Sequence, residues 1–410
     1  MRTPPDVAIR RLAASRFISV TGSMAAYTAL IDLVYVETDG STLFLSLTIL
    51  LTIGAVGLFE PLGAFVADRW DRKRALIWSD LIGTSLFALL ALTREPVVLL
   101  GVALLTAIAE TPFRAGSVAA IPNMVEDERL IAKANGWVGV GSNLGITIGP
   151  ALGGLLVAWL GASWVFLLNA GSFVVSAGLV WSIRAPFSGA VEASDDADDG
   201  GFTAGFRFLR GDRVLLVVTL SWMVLLLGMG LGIVSDRPVA DAFGAGSIGF
   251  GAMLGLWGLG SVVGSGVASR MTAATEPSAL VAGFVLAGAA GIGIGLAPVF
   301  WLVLVCNVVW GFGDALTVVA EQGIIQRRTP DAIRSRVVAA NEALVHLSLM
   351  VGFLAAGPVL AAFGGQATYA IGGVAALAAG VLANTVRRRA MPAPGEPEAS
   401  HAERPVAPWE

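Results

Sequence analysis

Apolar stretches of about 20 residues, the length that crosses a hydrocarbon core of ~30 Å, recur along nearly the whole of this 410-residue chain. In lipid every backbone N–H and C=O must be paired, and a lone segment can do this only as a helix. The expected spans are 17–36, 43–67, 75–92, 97–121, 134–159, 163–183, 214–235, 247–269, 278–297, 299–322, 337–362 and 367–386. The chain therefore reads as an all-α integral membrane protein of about twelve transmembrane helices with no soluble domain. With 56% hydrophobic and 14% charged residues, it is too apolar for a soluble protein of this size. The N-terminal "MRTPPDVAIRRLAASR" lacks a small-residue cleavage site, so no removable signal peptide is expected. Cys306 stands alone, which excludes an internal disulfide and argues against a cysteine metal site. No cofactor and no metal are expected.

The basic residues set the orientation. Apart from Arg94, Arg237 and Arg114, every Lys and Arg falls in the two tails or in connections after even-numbered spans. The positive-inside rule then places both termini in the cytoplasm, with the chain in the cell membrane. The net charge of -4 says little, because acidic residues barely affect topology.

Residues 185–213 form the one long internal connection. Its "EASDDADDGG" portion reads as disordered, whereas "GFTAGFRFLRGDRV" places aromatics and arginines on opposite sides, as a helix at the cytoplasmic surface would. The chain thus divides into a segment 1–16, a six-helix bundle 17–184, the linker 185–213, a second bundle 214–386 and a disordered tail 387–410. The halves echo each other: "IPNMVEDERLIAKANG" resembles "RRTPDAIRSRVVAANE", with Asn135 matching Asn341, and Gly149-Pro150 matches Gly357-Pro358. Parallel repeats of this kind recur in transporters that rock around a central site.

The fifth span, "NGWVGVGSNLGITIGPALGGLL", carries Gly141, Gly145, Gly149 and Gly153 at a spacing of four, with Gly154 beside them. The spacing puts them on one stripe of a helix, where a neighbouring helix can approach closely. Pro150 can bend the span. The stripe reads as a sliding or bending seam.

The pattern G-x8-G-x3-G-P-x2-G-G runs through Gly136, Gly145, Gly149, Pro150, Gly153 and Gly154. It resembles the fifth-helix antiporter motif of exporters in the major facilitator superfamily. Between the second and third spans, "AFVADRWDRKRALIWSD" resembles the signature G-x-x-x-D-R-x-G-R-[RK] of the same superfamily. Asp68, Arg69, Arg72 and Lys73 match, Ala64 replaces the first glycine and Asp71 the second. An aspartate there resembles the macrolide-efflux and enterobactin-exporter branch, as do "TPFRAGSVAAIPNMV", "FLLNAGSFVVSAGL", "FTAGFRFLRGDRVL" and "IIQRRTPDAIRSRV". The resemblance covers roughly residues 10–388.

This resemblance implies two pseudo-symmetric six-helix bundles and a secondary active transporter working by alternating access. It also implies export of amphipathic small molecules, drug- or macrolide-like, by proton antiport. A dedicated exporter of a siderophore or a self-made antibiotic is the alternative. The implied partners are a small-molecule substrate, protons and the lipid bilayer, with no nucleic acid and a monomeric chain. Asp68 at a helix end, with Arg69, Arg72, Lys73 and Arg74 around it, can form charge-assisted contacts to a neighbouring helix that shut the cytoplasmic side. The competing reading is that these cations anchor the loop to anionic lipid.

Ionisable groups within spans are functional candidates, because an unpaired charge in hydrocarbon is costly. They are Asp32, Glu60, Asp80, Glu110, Asp314, Glu321, Glu342 and His346. Glu110 and Asp314 occupy corresponding positions in the fourth and tenth spans, each roughly 20 Å from the outer end at 1.5 Å per residue. There a carboxylate could load and release a proton as its access to water changes. Asp314 and Glu110 are the first candidates for proton coupling and Asp32 the third, although a structural pair with Arg114 is an alternative for the buried acids. Glu60, Glu321 and Glu342 read as gate or loop contacts, and Asp80 as a partner of the basic loop. Trp222, Trp257, Trp301, Trp310, Phe113 and Phe284 could supply an aromatic cavity, or anchor the chain at the interface.

An intramembrane enzyme would need a nucleophile or metal constellation, and the two histidines and one cysteine supply none. A sensor would be expected to carry a soluble output domain. No phosphate-binding loop of the G-x-x-x-x-G-K-[ST] type is present, which argues against direct ATP drive.

Overall fold

A computed structural model describes residues 3–125, 128–187 and 203–390. The acidic run of the linker and the tail from residue 391 lie outside the described residues. In chain order the helices are α1 (Pro5–Glu37), α2 (Thr42–Ile49), a π-helical turn (Leu50–Gly54), α3 (Ala55–Arg69), α4 (Arg72–Leu92), α5 (Pro96–Ala119), α6 (Ile121–Met124), α7 (Glu128–Leu160) and α8 (Ala162–Ser182). The second half holds α9 (Thr203–Gly211), α10 (Arg213–Ala242), α11 (Gly246–Ala268), α12 (Glu276–Gly295), α13 (Phe300–Arg328), α14 (Arg334–Phe363) and α15 (Gly365–Ala390). Among the described residues, twelve helices are long and apolar enough to cross a membrane, the run from α2 into its π turn and α3 counting as one.

The spans appear where hydropathy places them, but several helices run further than expected, α1, α7, α10 and α13 among them. α1 begins at Pro5 rather than 17, because proline suits a first helical turn and Ala8, Ile9, Leu12 and Ala13 extend its buried face. α10 continues past 235 to Ala242 with Pro238 inside it. The amphipathic segment after the linker forms α9, whose Leu209 is buried and whose Gly205 abuts the carbonyl of Arg336 on α14.

The two halves repeat the same packing. α1 lies along α7 as α10 lies along α14, and α7 crosses α11 as α14 crosses α2. The tight turns between the last two spans of each half also correspond: Gly161 has φ +83° and Gly364 φ +78°. An L side chain at either position would meet the left-handed penalty. With twelve spans, the face carrying Pro5 also carries the Asp68–Arg74 loop and the end of α15, and is here called the basic face.

Candidate functional site

The glycines of α7 divide into two contacts. A Cβ on Gly145 would lie 2.9 Å from the backbone nitrogen of Thr21, and one on Gly153 would lie 2.5 Å from the carbonyl of Ala25. The four-residue stripe, continued by Gly141 and Gly149, therefore seats α1 within its own half. The contact of α7 with the other half lies on the adjacent face. There a Cβ built on Gly154 would lie 3.0 Å from Gly251, the Pro150 carbonyl faces Gly251, and a Cβ built on Gly258 would lie 3.0 Å from Thr147 of α7. Pro150 sits within an unbroken helix, and nothing lies within 4 Å of a Cβ built on Gly136.

The symmetric crossing places Gly357 of α14 against α2, where a Cβ built on the glycine would lie 2.9 Å from the Ser46 hydroxyl. Gly54, at the end of the π turn, approaches Met350, and Gly57 approaches His346. These contacts lie in the middle of the helices and toward the face opposite the basic one. On the basic side of the Thr147 to Gly258 crossing, a groove of about 360 Å³ separates α7 from α11.

An ion pair reinforces closure at the opposite face. Arg237 Nε of α10 donates to Asp32 Oδ1 of α1 at 2.6 Å, and Ser247 Oγ of α11 donates to the same oxygen at 2.9 Å. Arg237 also bonds Asp241 at 3.1 Å and lies 4.6 Å over the ring of Tyr35. Both members of the pair are buried, so low local dielectric strengthens the attraction. Asp32, a coupling candidate by sequence, is engaged here in joining the halves.

Between these crossings lies a cavity of about 250 Å³. Met24, Tyr27 and Ile146 line it from one half, and Trp257, Trp310 and Tyr369 from the other. Its one carboxylate is Asp236, which accepts a hydrogen bond from the Tyr369 hydroxyl. No cation pairs with Asp236 among the described residues. Asn307 lines the wall with its amide nitrogen donating to the Val303 carbonyl at 2.9 Å, and the buried Tyr27 hydroxyl has no hydrogen-bond partner among the described residues. The arrangement offers an apolar, aromatic volume with one acidic anchor, the usual composition of a small-molecule site. Ile146 and Trp257 line both the cavity and the groove, so the groove adjoins the cavity on the side of the basic face.

Sequence reading missed Asp236 and Arg237. The apolar window of the seventh span ends at Ser235, which leaves "DRP" outside it. Arg237 as an isolated charge on the sparsely basic side, with Asp32 inside the first span, was the available signal.

The other candidate acids lie outside this cavity. Glu110 of α5 and Asp314 of α13 are each half-buried and equally far from their helix starts, Pro96 and Phe300. Their surroundings differ. Glu110 accepts from Ser23 at 3.1 Å and lies in the field of Arg114 and Arg16. Asp314 has no cationic partner among the described residues. Asp80 does not join the basic loop; it is fully buried in α4 beside Glu110 and Arg16 of α1. Its position within α4 faces the bundle rather than the loop. Glu321 accepts from Asn341, which accepts from Thr219, tying α13, α14 and α10 together. Glu342 pairs with His346 one helical turn away at 3.3 Å. The side chain of Glu60 lies outside the described residues.

A family model described as the Major Facilitator Superfamily matches residues 12–236 and again 231–410. The chain belongs to the major facilitator superfamily. It is similar to the enterobactin exporter EntS of Shigella boydii serotype 4 (strain Sb227), with 26% identity over 351 residues, 82% of this chain and 81% of that protein. The enterobactin exporter EntS of Escherichia coli O127:H6 (strain E2348/69 / EPEC) matches to the same extent. Among solved structures, a POT family transporter in complex with 5-aminolevulinic acid superposes with a TM-score of 0.70 at 14% identity, covering 94% of this chain and 97% of that one. A bacterial homolog of the human lysosomal transporter Spinster, inward-facing and unoccupied, gives a TM-score of 0.68 at 16% identity, covering 94% and 96%. These structural likenesses establish the fold alone.

In this superfamily member the signature loop is tied to its own half. Asp71 caps α4, accepting from the Arg74 backbone at 2.8 Å. Arg72 donates to the Ala119 carbonyl at 3.2 Å, and Lys73 donates to the carbonyls of Trp181 and Ile183 at 2.8 and 2.7 Å. Arg69 lies over the Phe65 ring at 5.8 Å, and Arg74 is exposed. The side chain of Asp68 lies outside the described residues. Of the six aromatics singled out by sequence, Trp257 and Trp310 line the cavity. Trp222 packs edge-on against Phe284 in the core, Phe113 lies beneath Arg16, and Trp301 is exposed on the outer surface.

Proposed function

We propose that this transporter exports amphipathic small molecules from the cytoplasm by proton antiport and alternating access, as a monomer in the cell membrane. The observation that carries this reading is the apolar cavity with Asp236 as its acidic anchor, bounded on one side by the Asp32–Arg237 pair and adjoined by a groove on the other. The positive-inside rule makes the basic face cytoplasmic, so the cavity in this form receives its ligand from inside the cell. The bundles 17–184 and 214–386 rock about the crossings of α7 with α11 and α2 with α14. When they close over the basic face, the Asp68–Arg74 loop supplies the contacts on that side. Asp236 joins Asp314 and Glu110 as a proton-coupling residue and ranks ahead of both, because it alone of the three lines the cavity.

A dedicated siderophore exporter is the second reading, favoured by the similarity to enterobactin exporters. Both readings are tested by substrate-induced collapse of a pH gradient in inside-out vesicles, with macrolides, dyes and siderophores as probes. Wild type is compared with Asp236→Asn, Asp314→Asn and Glu110→Gln. Proton efflux on substrate addition, lost in Asp236→Asn while the purified variant still binds substrate, supports antiport at Asp236. Binding without proton movement in wild type overturns proton coupling, and the probe that responds selects between the substrate classes.

A further inference from the structure

A second pocket, remote from the substrate cavity, lies at the basic-face ends of α1, α4 and α8. It has a volume of about 530 Å³ and is lined by Thr3, Arg11, Lys73, Trp181, Ser182 and Arg184. Three of these six are cations and none is an acid. Two cations are held in place by the end of α8: Arg11 donates to the carbonyl and hydroxyl of Ser182 at 3.0 and 3.1 Å, and Lys73 donates to the carbonyls of Trp181 and Ile183. Capping the negative end of a helix accounts for those bonds.

Capping does not account for Arg184. Its backbone is fixed by reciprocal bonds with Thr3, from Thr3 N to its carbonyl at 3.1 Å and from its own N to Thr3 Oγ1 at 2.8 Å. Its guanidinium makes no hydrogen bond or ion pair among the described residues. A guanidinium carries five N–H donors and an ammonium three, so Arg184, Arg11 and Lys73 retain unspent donors around one concavity. Tetrahedral oxyanions are the ligands that match such a set.

The position of the pocket selects the source of the oxyanion. Arg72 and Ser182, the ends of two candidate membrane spans, mark its level, and Trp181, 73% exposed, stands on the outer wall. Tryptophan at a span end marks the headgroup region of a bilayer. We propose that this pocket binds the phosphodiester headgroup of an anionic phospholipid, with its acyl chains running down the surface beside Trp181.

The test uses the full-length purified protein, native mass spectrometry, and phosphatidylglycerol and phosphatidylethanolamine of matched chains as probes. Wild type should retain phosphatidylglycerol preferentially. Arg184→Gln, which removes a side chain that holds no structure, should lower that retention about fivefold, the effect of one basic contact at a membrane surface. Arg270→Gln, at an exposed basic-face position on the other half, should leave it unchanged. Equal retention in wild type and Arg184→Gln, or an equal fall in Arg270→Gln, overturns the site. Displacement of the lipid by inorganic phosphate at matched phosphate concentration overturns the lipid assignment in favour of a soluble anion.

Discussion

Asp32 of α1 and Arg237 of α10 meet at 2.6 Å across the division between the two halves, with Ser247 of α11 bonded to the same carboxylate oxygen. Removing one member of a buried pair costs about 3–5 kcal/mol when its partner is left uncompensated, and less here because Arg237 keeps the exposed Asp241 and the Tyr35 ring. In Asp32→Asn that cost falls on the form closed at this face, so the alternative form gains population. Spin labels at Val36 and Ala242, in a Cys306→Ser background, should report a longer inter-half distance. The exchange Asp32→Arg with Arg237→Asp should restore the shorter one. An unchanged distance distribution in Asp32→Asn would show that the glycine crossings alone hold the face shut.

Gly145 and Gly154 lie on neighbouring faces of α7 but touch different halves. Gly145→Val forces side-chain atoms into the backbone of α1 near Thr21 and should destabilise the protein by about 1–3 kcal/mol, as overpacking does. Gly154→Val meets the carbonyl of Ser247 on α11. It should leave the thermal unfolding midpoint nearly unchanged and lengthen the Val36 to Ala242 distance. Similar losses of midpoint in both variants would count against two separate surfaces.

Arg16 lies in the field of the buried Asp80 and the half-buried Glu110, whereas Asp314 has no cation beside it among the described residues. Arg16→Gln should therefore lower stability by about 3 kcal/mol, while Asp314→Asn should keep the wild-type midpoint. Thermal unfolding in the same detergent distinguishes them. A stable Arg16→Gln would mean that Arg114 alone balances Asp80 and Glu110.

Asp71 caps α4 through the Arg74 amide. Asp71→Ala should cost about 1 kcal/mol, and Asp71→Ser should retain most of the stability because a hydroxyl also caps. A fall in Asp71→Ser equal to that in Asp71→Ala would assign the aspartate to its charge instead of its cap.

Hydropathy locates the spans because each must satisfy its own backbone in lipid, and it does so without knowledge of neighbours. What it leaves open is partner choice. The four-residue glycine spacing identifies a smooth face on α7, but periodicity cannot say whether α1 or α11 fills it; α1 does, and the inter-half contact falls to Gly154. Asp32 is visible as an intramembrane acid, yet its guanidinium partner lies on the seventh span, beyond any local pattern. Asp236 escaped because an average over an apolar window ends where charge begins, while α10 persists through Pro238. Internal repetition likewise matched Glu110 with Asp314 by position, but only one of them acquired basic neighbours.

Asp236 and Arg237 are consecutive on α10, and side chains one residue apart diverge by about 100° around a helix. One therefore points into the ligand volume and the other into the lock between the halves. No relay of intervening side chains is needed: a twist of this single rod that draws the carboxylate toward a ligand swings the guanidinium through the same arc. The lever and the bolt are one piece.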